Sequence, residues 1–224
     1  MALPYFFLPD HQDPPPRAGG GPRRARPTHH NDDTPDDGLP ADPADRDCAS
    51  LIRAGDEPAY TALFRTLHTS LREFATTYAG NAALADEIVQ DVFLDLWVRR
   101  ETWSPRFGIR AYLFRAVRNR ATDVIRHAQA DRVAFAAGDI PTGMSEPPVA
   151  PDADADLRDF AAALRDVLRT LPPARYRAAL LRWRHGLGYA EIAQTLGTSV
   201  ASVTMHIARA REAVRPIIER YTAE

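Results

Sequence analysis

The run GLGYAEIAQTLGTSVASVTMHIARAR, residues 186–211, constrains the fold more than any other stretch of this chain. It reads as a helix, a tight turn at Gly197 and a second helix, the layout that places its second helix in a DNA major groove. Gly197 supplies the positive φ that a sharp helix exit needs. Ala193 is small enough for the two helices to approach closely, and Thr198 or Ser199 can cap the second one. At about 100° per residue, Val200, Val203, Ile207, Ala210 and Val214 share one side and are expected to pack inward. Ser202, Met205, His206 and Arg209 fall on the other side, where a groove-facing surface would lie. The competing reading is an ordinary helical hairpin inside a core.

A chain of 224 residues holds one large or two small domains. The formal net charge of −2 hides a strong asymmetry. Residues 49–127 carry 11 Arg against 9 acids, and 157–224 carry 11 against 6. Residues 1–48 carry 5 against 9, and 128–156 carry 1 against 6. Two mildly basic blocks are thus preceded and separated by acidic, Pro-rich segments, a pattern compatible with a polyanionic partner. All 28 basic residues are Arg, which coding bias explains. Cys48 is the one cysteine, so no disulfide or Cys-based zinc site forms within one chain. A lone thiol suits a reducing compartment, and the chain is expected to be cytoplasmic. No apolar run approaches the roughly 20 residues of a spanning helix. The apolar start, MALPYFFLPD, is broken by Pro4 and Pro9 and lacks the basic flank of a signal peptide.

Residues 1–47 are rich in Pro, Gly, Asp and Arg without hydrophobic period, and are expected to be disordered. They include a small basic cluster, Arg17, Arg23, Arg24 and Arg26. The block 48–127 is helical by pattern. The spacing predicts helices over about 57–78, with Pro58 in the first turn and Leu63, Phe64, Leu67, Leu71 and Phe74 on one side, then over 84–100 and 109–126. Gly80 and Asn81 break the first of these. Residues 128–156 read as a flexible acidic linker. Residues 157–224 resume with helices over about 157–170 and 173–185, ahead of the helix-turn-helix pair. The expected fold is all-α, two small helical domains with the C-terminal one a helix-turn-helix (winged-helix-like) domain.

Three surfaces stand out. On the second helix, Glu87, Gln90, Asp91, Leu94 and Asp95 oppose the apolar side of Ile88, Val89, Val92, Phe93 and Leu96. An acidic face is commonly just solvated, but an apolar Leu94 within a polar rim has the anatomy of an interface. On the third helix, Arg115, Arg118, Asn119, Thr122 and Arg126 oppose the stripe Leu113, Val117, Ala121 and Val124. Arginine contacts phosphate there and asparagine reads base edges. Upstream, Trp103 and Phe107 flank Arg106, with Arg110 and Tyr112 following. Aromatics interleaved with arginines suit unstacked single-stranded bases, each stack worth roughly 1–3 kcal/mol; the same rings also serve as core of a three-helix domain. Nothing supports an active site. No Gly-rich phosphate loop opens a helix, the seven histidines are scattered without metal-site spacing, and no nucleophile sits in a catalytic context. The chain is expected to be no enzyme, with no cofactor and no small-molecule substrate.

Taken together, the runs ADEIVQDVFLDLW (85–97), RAYLFRAVRNRATDVIR (110–126) and LPPARYR (171–177), the last leading into the helix-turn-helix, resemble an extracytoplasmic-function (ECF) sigma factor of bacterial RNA polymerase. The resemblance covers about 49–127 and 157–216. It implies that Glu87, Gln90, Asp91, Leu94 and Asp95 engage the β′ clamp of core RNA polymerase. It implies that Trp103, Arg106, Phe107, Arg110, Tyr112, Arg115, Arg118, Asn119, Thr122 and Arg126 capture and melt the −10 promoter element. Ser199, Ser202, Thr204, Met205, His206, Arg209 and Arg211 would read the −35 element, and the apolar surface of the last domain would seat on the β flap. An anti-sigma factor wedged between the domains is a further implied partner. Three departures matter. Gly188 stands where the family often has Ser or Thr as helix cap, Thr204 and His206 stand where basic residues are common, and the 47-residue extension lies outside the minimal two-domain form. Two other function classes compete: a stand-alone helix-turn-helix repressor or activator, and a helical adaptor without a DNA role.

Overall fold

The computed structural model describes residues 43–105, 108–134 and 155–222. The first unit comprises α1 (Pro43–Arg53), α2 (Glu57–Ala79), α3 (Ala82–Val98) and α4 (Ile109–Ala134). The second comprises α5 (Ala155–Arg169), α6 (Pro173–Ala179), α7 (Tyr189–Leu196) and α8 (Val200–Thr222). Among the described residues there is no strand, so the winged-helix likeness extends to the helices only.

The helix boundaries follow from local chemistry. Asp56 accepts from the Ala59 N–H at 2.7 Å, with Pro58 in the first turn of α2, and Asn81 accepts from Leu84 at 2.8 Å to start α3. Each cap satisfies an N–H that the helix cannot pair internally. Three apolar stripes then meet: Leu67, Leu71 and Phe74 of α2, Ile88, Val89 and Phe93 of α3, and Leu113, Val117 and Ala121 of α4, all buried. Phe74 meets Phe114 edge-to-face at 5.3 Å, and Phe64 meets Phe93 at 4.9 Å, geometries that favour aromatic pairs beyond their area.

In the second unit α5 and α6 pack on α8, with Leu171, Ala179 and Ala210 buried between them. The α7–α8 pair closes over Ile192, Ala193, Val203 and Ile207. The two units are docked rather than separate: α4 packs on α7 and α2 on α6. The buried core runs without a break from Phe114 of the first unit to Leu181, Leu187 and Ile192 of the second.

Four expectations are corrected. Residues 43–47 are not part of a disordered tail but begin α1, which the sequence reading did not separate. Pro43 and Asp45 in its first turn are start signals, masked by a Pro- and Asp-rich neighbourhood and a core contribution of only Ala49 and Ile52. Residues 128–134 continue α4 instead of opening the linker, because the run AQADRVA holds no glycine or proline. Val200 is 48% exposed rather than inward-facing, since it opens α8 at the turn. The helical start at Ala155 also precedes the expected end of the linker. Residues 1–42 and 135–154, and with them the basic tail cluster and the middle of the linker, lie outside the described residues.

Helix α1 has a specific task. The Asp45 carboxylate accepts from the Ile109 N–H at 2.9 Å and so caps α4 from 64 residues away. Arg53 of the same helix donates to the Trp103 carbonyl at 3.1 Å. Gly108, at φ +91°, makes room for this cap: a Cβ there would lie 2.8 Å from the Asp45 carboxylate. Replacing Asp45 with Ala should cost about 1 kcal/mol and lower the melting temperature by about 2–4 °C. Calorimetry on the full chain checks this, and an unchanged transition would remove the cap from the account.

Candidate nucleic-acid and polymerase interfaces

The acidic side of α3 is built as its sequence requires. With Ile88, Val89, Val92, Phe93 and Leu96 buried, Glu87, Gln90, Leu94 and Asp95 project to solvent. Leu94 is 60% exposed and Val98, one turn on, is 67% exposed. Burying a leucine is worth roughly 1.5–3 kcal/mol, so this apolar pair within a carboxylate rim forms an unpartnered contact surface. Asp91 differs from its neighbours: Arg120 of α4 donates to it through two nitrogens, at 2.6 and 3.0 Å. That pair ties α3 to α4 and leaves the other carboxylates as the exposed ones.

On α4, Asn119, Thr122 and Arg126 are exposed and Arg115 and Arg118 half-buried. Thr122 donates to the Arg118 carbonyl at 2.8 Å, and Arg126 pairs with Asp123 at 2.9 Å. Trp103 departs from a base-stacking role in this conformation: it is 5% exposed and packs edge-to-face on Tyr112 at 5.7 Å. The core alternative therefore holds for Trp103 here, while Tyr112 stays 39% exposed. Arg106 and Phe107 lie outside the described residues.

The helix-turn-helix geometry follows the sequence closely. Gly188 precedes α7, and the Glu191 side chain accepts from its N–H at 2.7 Å. Gly197 ends α7 at φ +60°, with Gly197 donating to Gln194 and Thr198 to Ala193, the paired bonds of a left-handed helix stop. Ser199 rather than Thr198 caps α8, its hydroxyl accepting from Ser202 at 3.1 Å. Thr204, Met205, Arg209 and Arg211 are exposed along α8, and Ser202 and His206 are half-buried. His206 does not face outward with the others. It turns toward α4 and, with Arg118 and Arg177, lines a cleft between the two units.

The docking contacts were not legible in the sequence. After α6 the helix widens into a π turn over Leu180–Arg184, where His185 donates to the Leu180 carbonyl. Such an extra residue re-aims the side chains that follow. Arg184 reaches Glu73 of α2 at 3.2 Å, and the neighbouring His185 is buried against Phe114 at 4.9 Å. Arg110 of α4 donates to the His185 carbonyl. Arg177 stacks on the Tyr78 ring at 3.5 Å and donates to Thr77 Oγ1 at 3.1 Å and to the Thr77 carbonyl at 2.7 Å.

Burial, with Arg184 and Arg110 close by, pushes the His185 imidazole down to about 3. It is therefore neutral near pH 7, and the Glu73 carboxylate 4.0 Å away makes no ion pair with it. Its Nε2 is buried without a hydrogen-bond partner.

Among the described residues no group of three or more His, Cys, Asp or Glu is placed to hold a metal, and no helix is long and apolar enough to cross a membrane. Two family profiles match: "Sigma-70 region 2" over residues 63–130 and "Sigma-70, region 4" over 161–214. The RNA polymerase sigma factor NccH of Alcaligenes xylosoxydans xylosoxydans is 27% identical over 78% of this chain and 95% of its own length. The ECF RNA polymerase sigma factor SigM of Mycobacterium tuberculosis is 30% identical over 70% of this chain and 76% of its own. The chain belongs to the ECF RNA polymerase sigma factors. In fold it is similar to the sigma factor RpoE of Bartonella quintana, solved in complex with the anti-sigma factor NepR. The TM-score is 0.57 at 20% identity, covering 71% of this chain and 96% of that one. As a sigma factor this chain is a transcription initiation factor.

The docked form of this sigma factor should be pH-sensitive. Because the folded value of His185 lies below the unfolded one, its contribution is complete above about pH 6.5 and lost as pH falls toward 3. Protonation would set a cation beside Arg110 and Arg184 with only Glu73 to answer it. Stability should therefore drop with a slope of up to about 1.4 kcal/mol per pH unit in that window. His185→Gln should flatten the slope in thermal melts taken from pH 7 to 4; an equal slope in both proteins would assign it elsewhere.

Proposed function

We propose that this chain recruits core RNA polymerase through the α3 face of Glu87, Gln90, Leu94 and Asp95, and reads the −10 element through α4 and the −35 element through α8. The observation that carries this assignment is an apolar pair, Leu94 and Val98, exposed inside a carboxylate rim on a helix whose opposite side is fully buried. That pattern fits a basic partner helix such as the β′ clamp offers. The apolar surface around α5, α6 and α8 is the candidate for the β flap. Duplex melting needs no chemistry in the chain, because capture of flipped bases offsets the few kcal/mol of unstacking. Trp103 joins that capture only if the loop before α4 rearranges on DNA.

The docked arrangement represents the resting form. Arg118 and His206, assigned to different promoter elements, face one cleft and cannot both meet DNA until the units part. Polymerase binding supplies the differential affinity that opens them. The likeness in fold to a sigma factor solved with an anti-sigma factor supports a protein partner that holds the closed form. Residency in the cytoplasm is part of the same proposal.

Run-off transcription with sigma-free core polymerase, on the promoter upstream of this chain's own gene, tests the reading. Specific initiation should be lost by on the order of 10-fold or more, about 1.4 kcal/mol, in Gln90→Ala combined with Asp95→Arg. DNA binding with no initiation and no core binding would instead identify a stand-alone regulator.

A further inference from the structure

The cleft between the two units has a volume of about 230 Å³ and is lined from both sides. Arg118 and Thr122 come from α4, Arg177 from α6, Thr198 from the helix-turn-helix corner and His206 from α8. Among the described residues no carboxylate lines it. Elsewhere in the docked form cations meet acids, as in Arg184 with Glu73 and Arg120 with Asp91. Here two guanidinium groups converge on one Tyr78 ring, Arg177 over its face at 3.5 Å and Arg118 at its hydroxyl. His206 adds an Nδ1 that is buried without a hydrogen-bond partner. Arg175, close enough to His206 to act on it electrostatically, has a buried and equally unpartnered Nε. Donors without acceptors and cations without counter-charge are both costly when desolvated, and a small multivalent oxyanion relieves both at once. Guanidinium pairs bind the tetrahedral oxygens of phosphate with the geometry and strength of charge-assisted hydrogen bonds.

We propose that this cleft is a binding site for a phosphate group, formed only when the two units are docked, and that its occupation holds the protein closed. Burial and Arg118 together hold the Arg177 guanidinium below its ordinary value against the opposing pull of Tyr78, in keeping with uncompensated positive charge. Because neither unit carries the whole site, the ligand binds closed chains in preference to open ones and shifts the population by mass action. The site shares Arg118, Thr122 and His206 with the proposed promoter contacts and adds Arg177 and Thr198 to them, but phosphate binding to it is read without DNA or polymerase.

The test uses the full chain in a Cys48→Ser background, dye-labelled at cysteines placed at Ala83 and Glu219, with inorganic phosphate titrated against chloride at matched ionic strength. Energy transfer between the dyes should change saturably toward the docked value, and the melting temperature should rise by about 3 °C at ten times the half-saturating concentration. Arg118→Gln and His206→Ala should each weaken the phosphate response at least 10-fold. Arg118→Gln should also melt no lower than the parent in chloride, since it removes a like charge; a merely structural arginine would lower it. A nucleoside diphosphate in a parallel titration distinguishes a free phosphate from a phosphoryl group carried on a larger molecule, through tighter half-saturation for whichever the cleft accepts. A response equal in chloride and phosphate, or one that both variants retain in full, overturns the proposal. Transcription enters none of these readouts, so failure here leaves the promoter reading untouched, and failure of run-off initiation leaves this one standing.

Discussion

Phe114 belongs to two cores at once, and the arrangement of the molecule depends on that sharing. From the second turn of α4 its ring packs on Phe74 of the first unit and on His185 of the second. A helix of a three-helix domain ordinarily needs one apolar stripe. Here α4 needs a second, partial one, and α7 lies against it. The contact works only because the π turn after α6 carries Arg184 and His185 round to face α2 and α4. Without the extra residue in that turn, the same sequence would direct the imidazole elsewhere and leave Phe114 without its second neighbour.

The interface so formed is apolar at its centre and arginine-rich around it. A chain with no lysine presents every one of its cations as a flat guanidinium, a group that stacks and donates in a fan rather than acting as a point charge. Arg177 shows what this allows: it stacks on a ring and donates to two oxygens in one pose. Arg118 lies so close to the turn that a side chain at Gly197 would begin 2.9 Å from its nitrogen. The glycine demanded by the turn's left-handed backbone is therefore also demanded by a neighbour from the other unit.

Periodicity made the α2, α3 and α4 stripes legible, because each is a long helix with one buried side and a cap at its start. The Gly197 turn was legible because positive φ has a chemical signature. The exposed acidic side of α3 followed by subtraction, once the buried residues were named. What the sequence did not reveal arises from contacts across many residues. Helix α1 contributes only Ala49 and Ile52 to the core, too little for a pattern. Asp91 looked like its acidic neighbours until Arg120 claimed it. Trp103 and His206 have chemistry suited to either an interior or a ligand, and only the packing around them decided which way each turned.

Helix α1 lies wholly before residue 63, where the family match begins, yet the acceptor for the first N–H of α4 sits within it. Homology thus marks out a region in which the start of α4 is completed by a residue beyond its border. Trimming this protein to the matched segment would delete the acceptor while leaving every matched residue in place. The first turn of α4 would then fray, with nothing altered in the residues proposed to contact DNA.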